Sequence, residues 1–139
     1  MLQVMEQQWE IFVADEKIGN IQKKIPLYLT NEALPSVLQW IEGQNILATY
    51  TKQQWLRHTQ EVLFLNEAIY PIQLIDEQFE FTVKGNTYRL REEMNAWLVE
   101  CEGVIVTSVY VTQENIHFEN ELHAPLVQLI SLLISSTQV

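Results

Sequence analysis

The sequence has few of the residues that link or brace a chain. It contains one cysteine, Cys101, so no disulfide can form within its 139 residues. Its four glycines and four prolines are spread out, without a linker, an internal repeat or a low-complexity tract. With 47% apolar and 19% charged residues, it has enough apolar surface to fold unaided. We therefore predict a single domain over residues 1–139.

Long apolar runs are also missing. The most apolar stretch, 124–134, is interrupted by Pro125 and Gln128 and has about half the length that a membrane-spanning helix needs. The first nine residues contain neither a basic segment nor an apolar run, so we expect no secretory signal. Together with the single thiol, these features predict a cytoplasmic protein without a membrane span.

Positive charge is missing from the last third of the chain. All eight Lys and Arg residues lie at or before Arg91, and the net charge is −10. The negative electrostatic field of such a chain repels nucleic-acid phosphates and anionic lipids and attracts basic protein surfaces. An acidic surface can also do no more than keep the protein soluble. Seven carboxylates follow Arg91, and they are Glu92, Glu93, Glu100, Glu102, Glu114, Glu119 and Glu121.

Sequence motifs with a known chemical mechanism are absent. The chain has no GxGxxG or Walker-type phosphate loop, no HExxH, GxSxG or CxxC, and no EF-hand loop. His117, Glu119 and His123 are of the types that bind a divalent metal, but their spacing is not diagnostic. We interpret them as solvated residues that lead into the last helix. The prediction is a protein without enzyme activity, cofactor or metal.

Two weaker signals have structural explanations. His58 and Cys101 are a base and a thiol, but Cys101 alternates with Trp97 and Val99, which is typical of a small buried hydrophobe. The four tryptophans each lie in an apolar pattern, which predicts three core residues and one that is able to anchor a partner. They are Trp9, Trp40, Trp55 and Trp97.

Alternating apolar residues predict strands joined as hairpins. The runs 9–13 and 21–29 form an opening hairpin, in which Pro26 indicates a sheet edge or bend because proline lacks the N–H that a ladder needs. Residues 45–50 predict a short strand. Residues 97–111 predict a further hairpin around Glu102 and Gly103, whose second strand lies centrally in the sheet.

The clearest local prediction is a tight hairpin over 78–91. Gly85 and Asn86 suit a two-residue turn between alternating runs. Such a turn gives one apolar and one ionic face. The expected pairs are Val83 with Tyr88 and Phe81 with Leu90 on the apolar face, and Thr82 with Arg89 and Glu80 with Arg91 on the ionic face.

Three segments favour helices. The first covers 31–43, and the second begins at a capping pair of Thr51 and Gln54 and extends to residue 63, although 62–65 also fits a strand. The third begins at Pro125 and is apolar nearly all the way round. It must be covered, and we expect it to pack across the sheet as core. The alternative is that part of it forms a homodimer or partner interface.

These elements predict an α+β domain. Its sheet is mostly antiparallel and twisted, built from hairpins, with two or three helices including the C-terminal apolar helix packed on it.

The function class that these features favour is a small acidic protein-binding domain. A nuclease presents Lys and Arg to phosphates, so an inhibitor that covers its site gains association rate and specificity from opposed carboxylates. A stoichiometric inhibitor, such as a bacterial immunity protein that neutralises a basic toxin, is therefore the first hypothesis, although no immunity-family motif is visible. The seven carboxylates after Arg91 are the predicted partner-binding residues.

Two other binding classes remain open. A cytosolic secretion-effector chaperone of the type III kind is also small, acidic and often dimeric through a helix, but the opening hairpin argues against it. A nucleic-acid mimic would place its carboxylates at phosphate-like spacing and inhibit a DNA-binding enzyme.

Overall fold

The computed structural model describes residues 3–27, 37–51, 60–64 and 68–138. These residues form eleven β-strands and one α-helix. In chain order the elements are β1 Gln3–Val13, β2 Glu16–Leu27, β3 Val37–Glu42, β4 Asn45–Thr51, β5 Gln60–Phe64, β6 Ile69–Ile75, β7 Gln78–Val83, β8 Asn86–Glu93, β9 Ala96–Cys101, β10 Val104–Val111, β11 Asn115–Phe118 and α1 Ala124–Thr137.

The eleven strands close into one barrel. Each strand pairs antiparallel with the next along the chain, and β1 closes the circle by pairing parallel with β11, where Ile11 lies opposite Ile116. Closure gives every strand two neighbours, so the sheet has no unpaired edge to protect from other chains.

Because consecutive strands run in opposite directions, alternate turns lie at the same end of the barrel. We call the end at which α1 begins the upper rim, and the end at which α1 finishes the lower rim. Within the described residues, the upper rim contains the turns 14–15, 43–44, 84–85 and 102–103, the strand residues next to them and the segment 119–123. The lower rim contains the turns 76–77 and 94–95, the strand residues next to them and the loop 112–114.

The inner face of the barrel wall is apolar. The pairing places Ile21 between Trp9 and Trp40, and all three side chains are at most 1% exposed. On the opposite side of the barrel Leu90 lies between Phe79 and Val99, and these are also buried. This period-two burial is the pattern that a strand with one solvated face produces.

The helix α1 lies inside the barrel. Residues 126–135 are buried on every face of the helix except at Gln128, which is half-buried. A barrel of eleven strands is wider than its own inward side chains can fill, and a helix with its side chains is about 10–12 Å across. The helix therefore completes the core that the wall alone leaves open.

Polar contacts hold the lower end of α1. The ammonium of Lys23, on the inner face of β2, donates to the carbonyl oxygen of Gln138 at 3.1 Å. A cation at this position complements the negative end of the helix dipole. Tyr50, on the inner face of β4, forms a hydrogen bond with Ser136. These contacts explain why the polar groups of Lys23 and Tyr50 are found inside an otherwise apolar barrel.

Gly19 provides the space for an aromatic ring. A Cβ atom on this residue would lie 2.6 Å from Cζ2 of Trp40, which is closer than carbon atoms approach without displacement. The indole of Trp40 therefore packs directly against the backbone of β2. This contact lies near the upper rim, beside the start of α1.

The structure confirms several local predictions. The opening hairpin forms as β1 and β2, the strand over 45–50 forms as β4, and the hairpin around Glu102 and Gly103 forms as β9 and β10. The C-terminal helix forms from Ala124, with Pro125 in its first turn. Trp9, Trp40 and Trp97 belong to the core as expected, whereas Trp55 lies outside the described residues.

The predicted fold class was wrong. Within the described residues there is one helix instead of two or three, the sheet is a closed barrel, and α1 lies inside it instead of across one face. Residues 37–42, predicted as helix, form β3, and residues 60–64, predicted as helix with a strand alternative, form β5. A short apolar run fits both the helical period of about 3.6 residues and the strand period of 2, and pairing with neighbouring strands decided between them. The other residues of the two predicted helices, 31–36 and 52–59, lie outside the described residues.

The hairpin over 78–91 differs from its prediction by two residues of register. The turn is Lys84-Gly85, with φ of 51° and 80°, so both turn residues take the left-handed conformation of a type I′ turn. A two-residue shift keeps every side chain on its predicted face, since side chains alternate with period two. The observed pairs are Val83 with Asn86, Thr82 with Thr87, Phe81 with Tyr88, Glu80 with Arg89, and Phe79 with Leu90.

Of the two alternatives predicted from Pro26, the edge strand was wrong, and the bend stays a prediction. The strand that contains Pro26, β2, pairs with both β1 and β3. Pro26 lies opposite Val4 of β1, and it follows Lys24, the last β2 residue with a described partner in β3.

The contact between Gly19 and Trp40 can be tested by a double-mutant cycle. Gly19→Ala should lower the free energy of unfolding by about 1–3 kcal/mol, because the new methyl group displaces the indole. In a Trp40→Phe background, the same substitution should cost at least about 1 kcal/mol less. Urea denaturation of the four proteins measures both values. Equal costs in the two backgrounds would show that the indole does not restrict Gly19.

Tyr50 should make the protein sensitive to alkali. Burial raises the pKa of its hydroxyl, and the hydrogen bond with Ser136 opposes this only in part. The unfolded chain loses this proton near pH 10 while the folded protein keeps it, so the free energy of unfolding falls as pH rises above about 10. Tyr50→Phe should make the free energy of unfolding fall less steeply with pH, by an amount that corresponds to at most about one proton. Tyr110→Phe, an exposed tyrosine of β10, is the control, and an equal reduction there would contradict the assignment.

Candidate functional site: the acidic upper rim

The segment 119–123 crosses the upper rim from β11 to the start of α1. Its backbone is anchored to β10, because the amide N–H of Asn120 donates to Thr107 Oγ1 at 3.0 Å and the side-chain amide donates to the carbonyl of Val106 at 3.1 Å. The amide of Glu119 also donates to the carbonyl of Ser108 at 3.0 Å. The crossing segment is thus held in one place over the mouth of the barrel.

Two pockets open on either side of this crossing. The first, of about 470 Å³, lies between α1 and the wall of β1, β2 and β3, with Trp40 and Val127 among its lining residues. The second, of about 610 Å³, lies between α1 and the wall of β8, β9 and β10, with Tyr88 and Leu126 among its lining residues. Leu122, in the crossing segment, borders both.

The upper rim carries six carboxylates that are exposed and form no ion pair with any described residue. The turns, the crossing segment and the strand residues next to them contain two Lys or Arg residues within the described chain, Lys84 and Lys17, and Lys17 pairs with Glu10. Like charges at this density focus a negative field over the two pockets. The six are Asp15, Glu16, Glu42, Glu102, Glu119 and Glu121.

Apolar side chains are exposed near the same rim. They lie at or near the starts of β4, β6 and β10, where the strands leave the upper turns. A surface that combines exposed apolar groups with a polar border has the composition of a protein interface. The residues are Ile46, Ile69, Val104 and Ile105, with exposed fractions of 37%, 55%, 64% and 51%.

The structure divides the seven predicted contact residues among three places. Glu102, Glu119 and Glu121 lie on the upper rim, and Glu92, Glu93 and Glu114 lie at the lower rim. Glu100 lies on the outer face of β9 near its upper end, where it is not free, because it accepts a hydrogen bond from Arg91 at 3.2 Å. The carboxylates that are continuous in sequence therefore do not form one patch.

Three upper-rim carboxylates were missed by sequence reasoning. Asp15, Glu16 and Glu42 precede Glu92 by at least fifty positions, so a search confined to the acidic last third could not include them. A usable signal was present: consecutive hairpins place alternate turns at the same end of a sheet. Applied to the turns at 14–15, 43–44 and 102–103, this rule groups acidic residues that are distant in sequence.

The candidate metal ligands lie apart in the described structure. The ring of His117 stacks on Phe12 with centroids 4.7 Å apart, on the outer wall where β1 meets β11. His123 is exposed and directly precedes α1. Among the described residues, no group of three or more His, Cys, Asp or Glu side chains is placed to hold a metal ion. Cys101 borders the second pocket, while its suggested partner His58 lies outside the described residues.

Comparison with known proteins adds no relationship. No protein-family model, no curated protein and no solved structure matches this chain. In the described part of the chain, no helix is both long and apolar enough to cross a membrane.

Proposed function

We propose that this protein is a stoichiometric inhibitor that binds a basic protein through its upper rim, in the manner of an immunity protein that neutralises a toxin such as a nuclease. The observation that carries the proposal is the set of six exposed carboxylates at the upper rim that form no ion pair with a described residue, three of which, Glu16, Glu42 and Glu121, line the pockets there. Opposed charges of this kind raise the association rate and fix the orientation of the partner.

The lack of internal partners supports an external one. Along the strands several acidic residues are neutralised: Glu10 pairs with Lys17, Glu80 with Arg89, and Glu100 with Arg91. Four lower-rim carboxylates, Asp76, Glu77, Glu92 and Glu114, also form no ion pair with a described residue, but they line neither of the two pockets. The six upper-rim carboxylates have two Lys residues near them in the described chain, Lys17 and Lys84, and a basic partner would relieve their mutual repulsion. Exposed apolar groups at the same rim would supply the contact area that charge alone does not.

The proposal includes a binding role without catalysis and a cytoplasmic location. The single free thiol, Cys101, fits a reducing compartment. A chaperone role receives less support, because the one described helix is buried inside the barrel and presents no face for a helical dimer. A nucleic-acid mimic also receives less support, because the predicted carboxylates are divided between the two rims instead of forming one row.

Charge reversal at the two rims tests the proposal with a matched control. Glu102→Lys with Glu119→Lys changes the upper rim, and Glu92→Lys with Glu114→Lys makes the same charge change at the lower rim. Glu102 has φ of 50° and Lys84 has φ of 51°, so lysine is tolerated in this turn conformation. Each tagged protein is used to capture partners from its native lysate at low and moderate salt, with mass spectrometry of the retained proteins.

A basic protein retained by the wild type and the lower-rim variant, and lost by the upper-rim variant, is the expected result. With that protein purified, association with the upper-rim variant should be slower by on the order of tenfold, and the difference should shrink as salt rises. The wild type should block the partner's activity at a one-to-one ratio. Loss of capture by both variants to the same degree would contradict a rim-specific interface.

A further inference from the structure

We infer that the first pocket of the upper rim receives an arginine side chain from a basic partner, an assignment that rests on the proposed function and names its point of contact. We call this site the Trp40 pocket. Its floor is apolar and includes Trp40, Leu122 and Val127, and its border carries the carboxylates of Glu16, Glu42 and Glu121.

The shape of the Trp40 pocket suits a side chain that is apolar along its length and charged at its end. Its floor lies between the wall and α1, while its three carboxylates are exposed at the mouth. Lysine and arginine bury their aliphatic stems against apolar surface and keep their charged heads near water. The volume of about 470 Å³ falls in the lower part of the range for ligand sites, about 300–1,000 Å³, which is suitable for one long side chain and part of its neighbour.

The charge of the pocket selects a cation. None of its lining residues is Lys or Arg, and its three carboxylates form no ion pair with a described residue. The second pocket, on the other side of the crossing segment, has one carboxylate, Glu121, which it shares with the first. Two pockets of similar size therefore differ by Glu16 and Glu42, and this difference makes the second pocket an internal comparison.

Arginine fits these groups better than lysine does. A planar guanidinium forms two parallel hydrogen bonds with a carboxylate, whereas an ammonium acts as a point charge. The side chain of Trp40 is 1% exposed, so its indole lies at the base of the floor and does not stack on the guanidinium. Gly19 holds the ring in place from behind, so the floor is already formed before a partner arrives.

The test is a titration of the full ¹⁵N-labelled chain by nuclear magnetic resonance. The probe is the capped peptide acetyl-Gly-Arg-Gly-amide, and the comparison peptides carry citrulline or lysine in place of arginine. Citrulline preserves the shape of arginine without its charge. The indole N–H signal of Trp40 is assigned by its disappearance in Trp40→Phe.

Saturable movement of the Trp40 indole signal with the arginine peptide is the expected result. The citrulline peptide should leave it in place, and the lysine peptide should bind more weakly. Glu16→Gln with Glu42→Gln should weaken binding about fivefold, as two exposed ion pairs are lost. Glu92→Gln with Glu114→Gln removes the same charge from the lower rim and should leave the dissociation constant unchanged.

Several outcomes would overturn the assignment, and they separate it from the proposed function. Movement near Glu102 and Glu119 without movement of Trp40 would reject the pocket while leaving the acidic rim as the interface. Equal movement of the amide signals at the upper and lower rims would reject both the pocket and the proposed function. Equal binding of the citrulline peptide would show that charge is not what the pocket selects, and equal binding of the lysine peptide would reject arginine as its occupant.

Discussion

The burial of one apolar helix inside the barrel is the interaction on which the rest of this structure depends. Eleven strands enclose more space than their inward side chains fill, and α1 occupies the remainder with residues buried on nearly every face. Neither part is stable alone, because the helix without the barrel exposes a wholly apolar surface and the barrel without the helix has an unfilled interior. The core therefore forms only when the last segment of the chain packs against the strands that precede it.

The position of α1 also determines the chemistry of the two rims. At the lower end, Lys23 meets the C-terminal carbonyl of Gln138 inside the wall, as the helix dipole favours. At the upper end, the chain must cross the mouth to enter the barrel, and this crossing divides the opening into two pockets. Two acidic residues of the crossing segment, Glu119 and Glu121, precede the positive end of the same dipole in the chain. The candidate site is thus a consequence of how the helix enters.

Parts of this fold were predictable because they depend on residues close in sequence. Gly103, after Glu102, adopts the left-handed backbone that the turn between β9 and β10 needs, and Pro125 indicates the start of α1. The assignment of β3 failed because Leu38 and Trp40 fit either a strand or a helix until β2 and β4 pair on both sides. Of the site, Glu102, Glu119 and Glu121 were found from charge, whereas Asp15, Glu16 and Glu42 required the barrel to bring them to the same end.

The sequence by itself determined three hairpins, β1–β2, β7–β8 and β9–β10, together with the apolar and polar faces of β7 and β8, the last helix and the excess of negative charge. These properties follow from turn geometry, from the period of side chains along a strand, and from composition, all of which act over a few residues. Only the tertiary structure decided that the sheet closes, that the helix lies within it, and that six distant carboxylates share one rim. Those outcomes depend on filling a common interior, and no local segment contains that information.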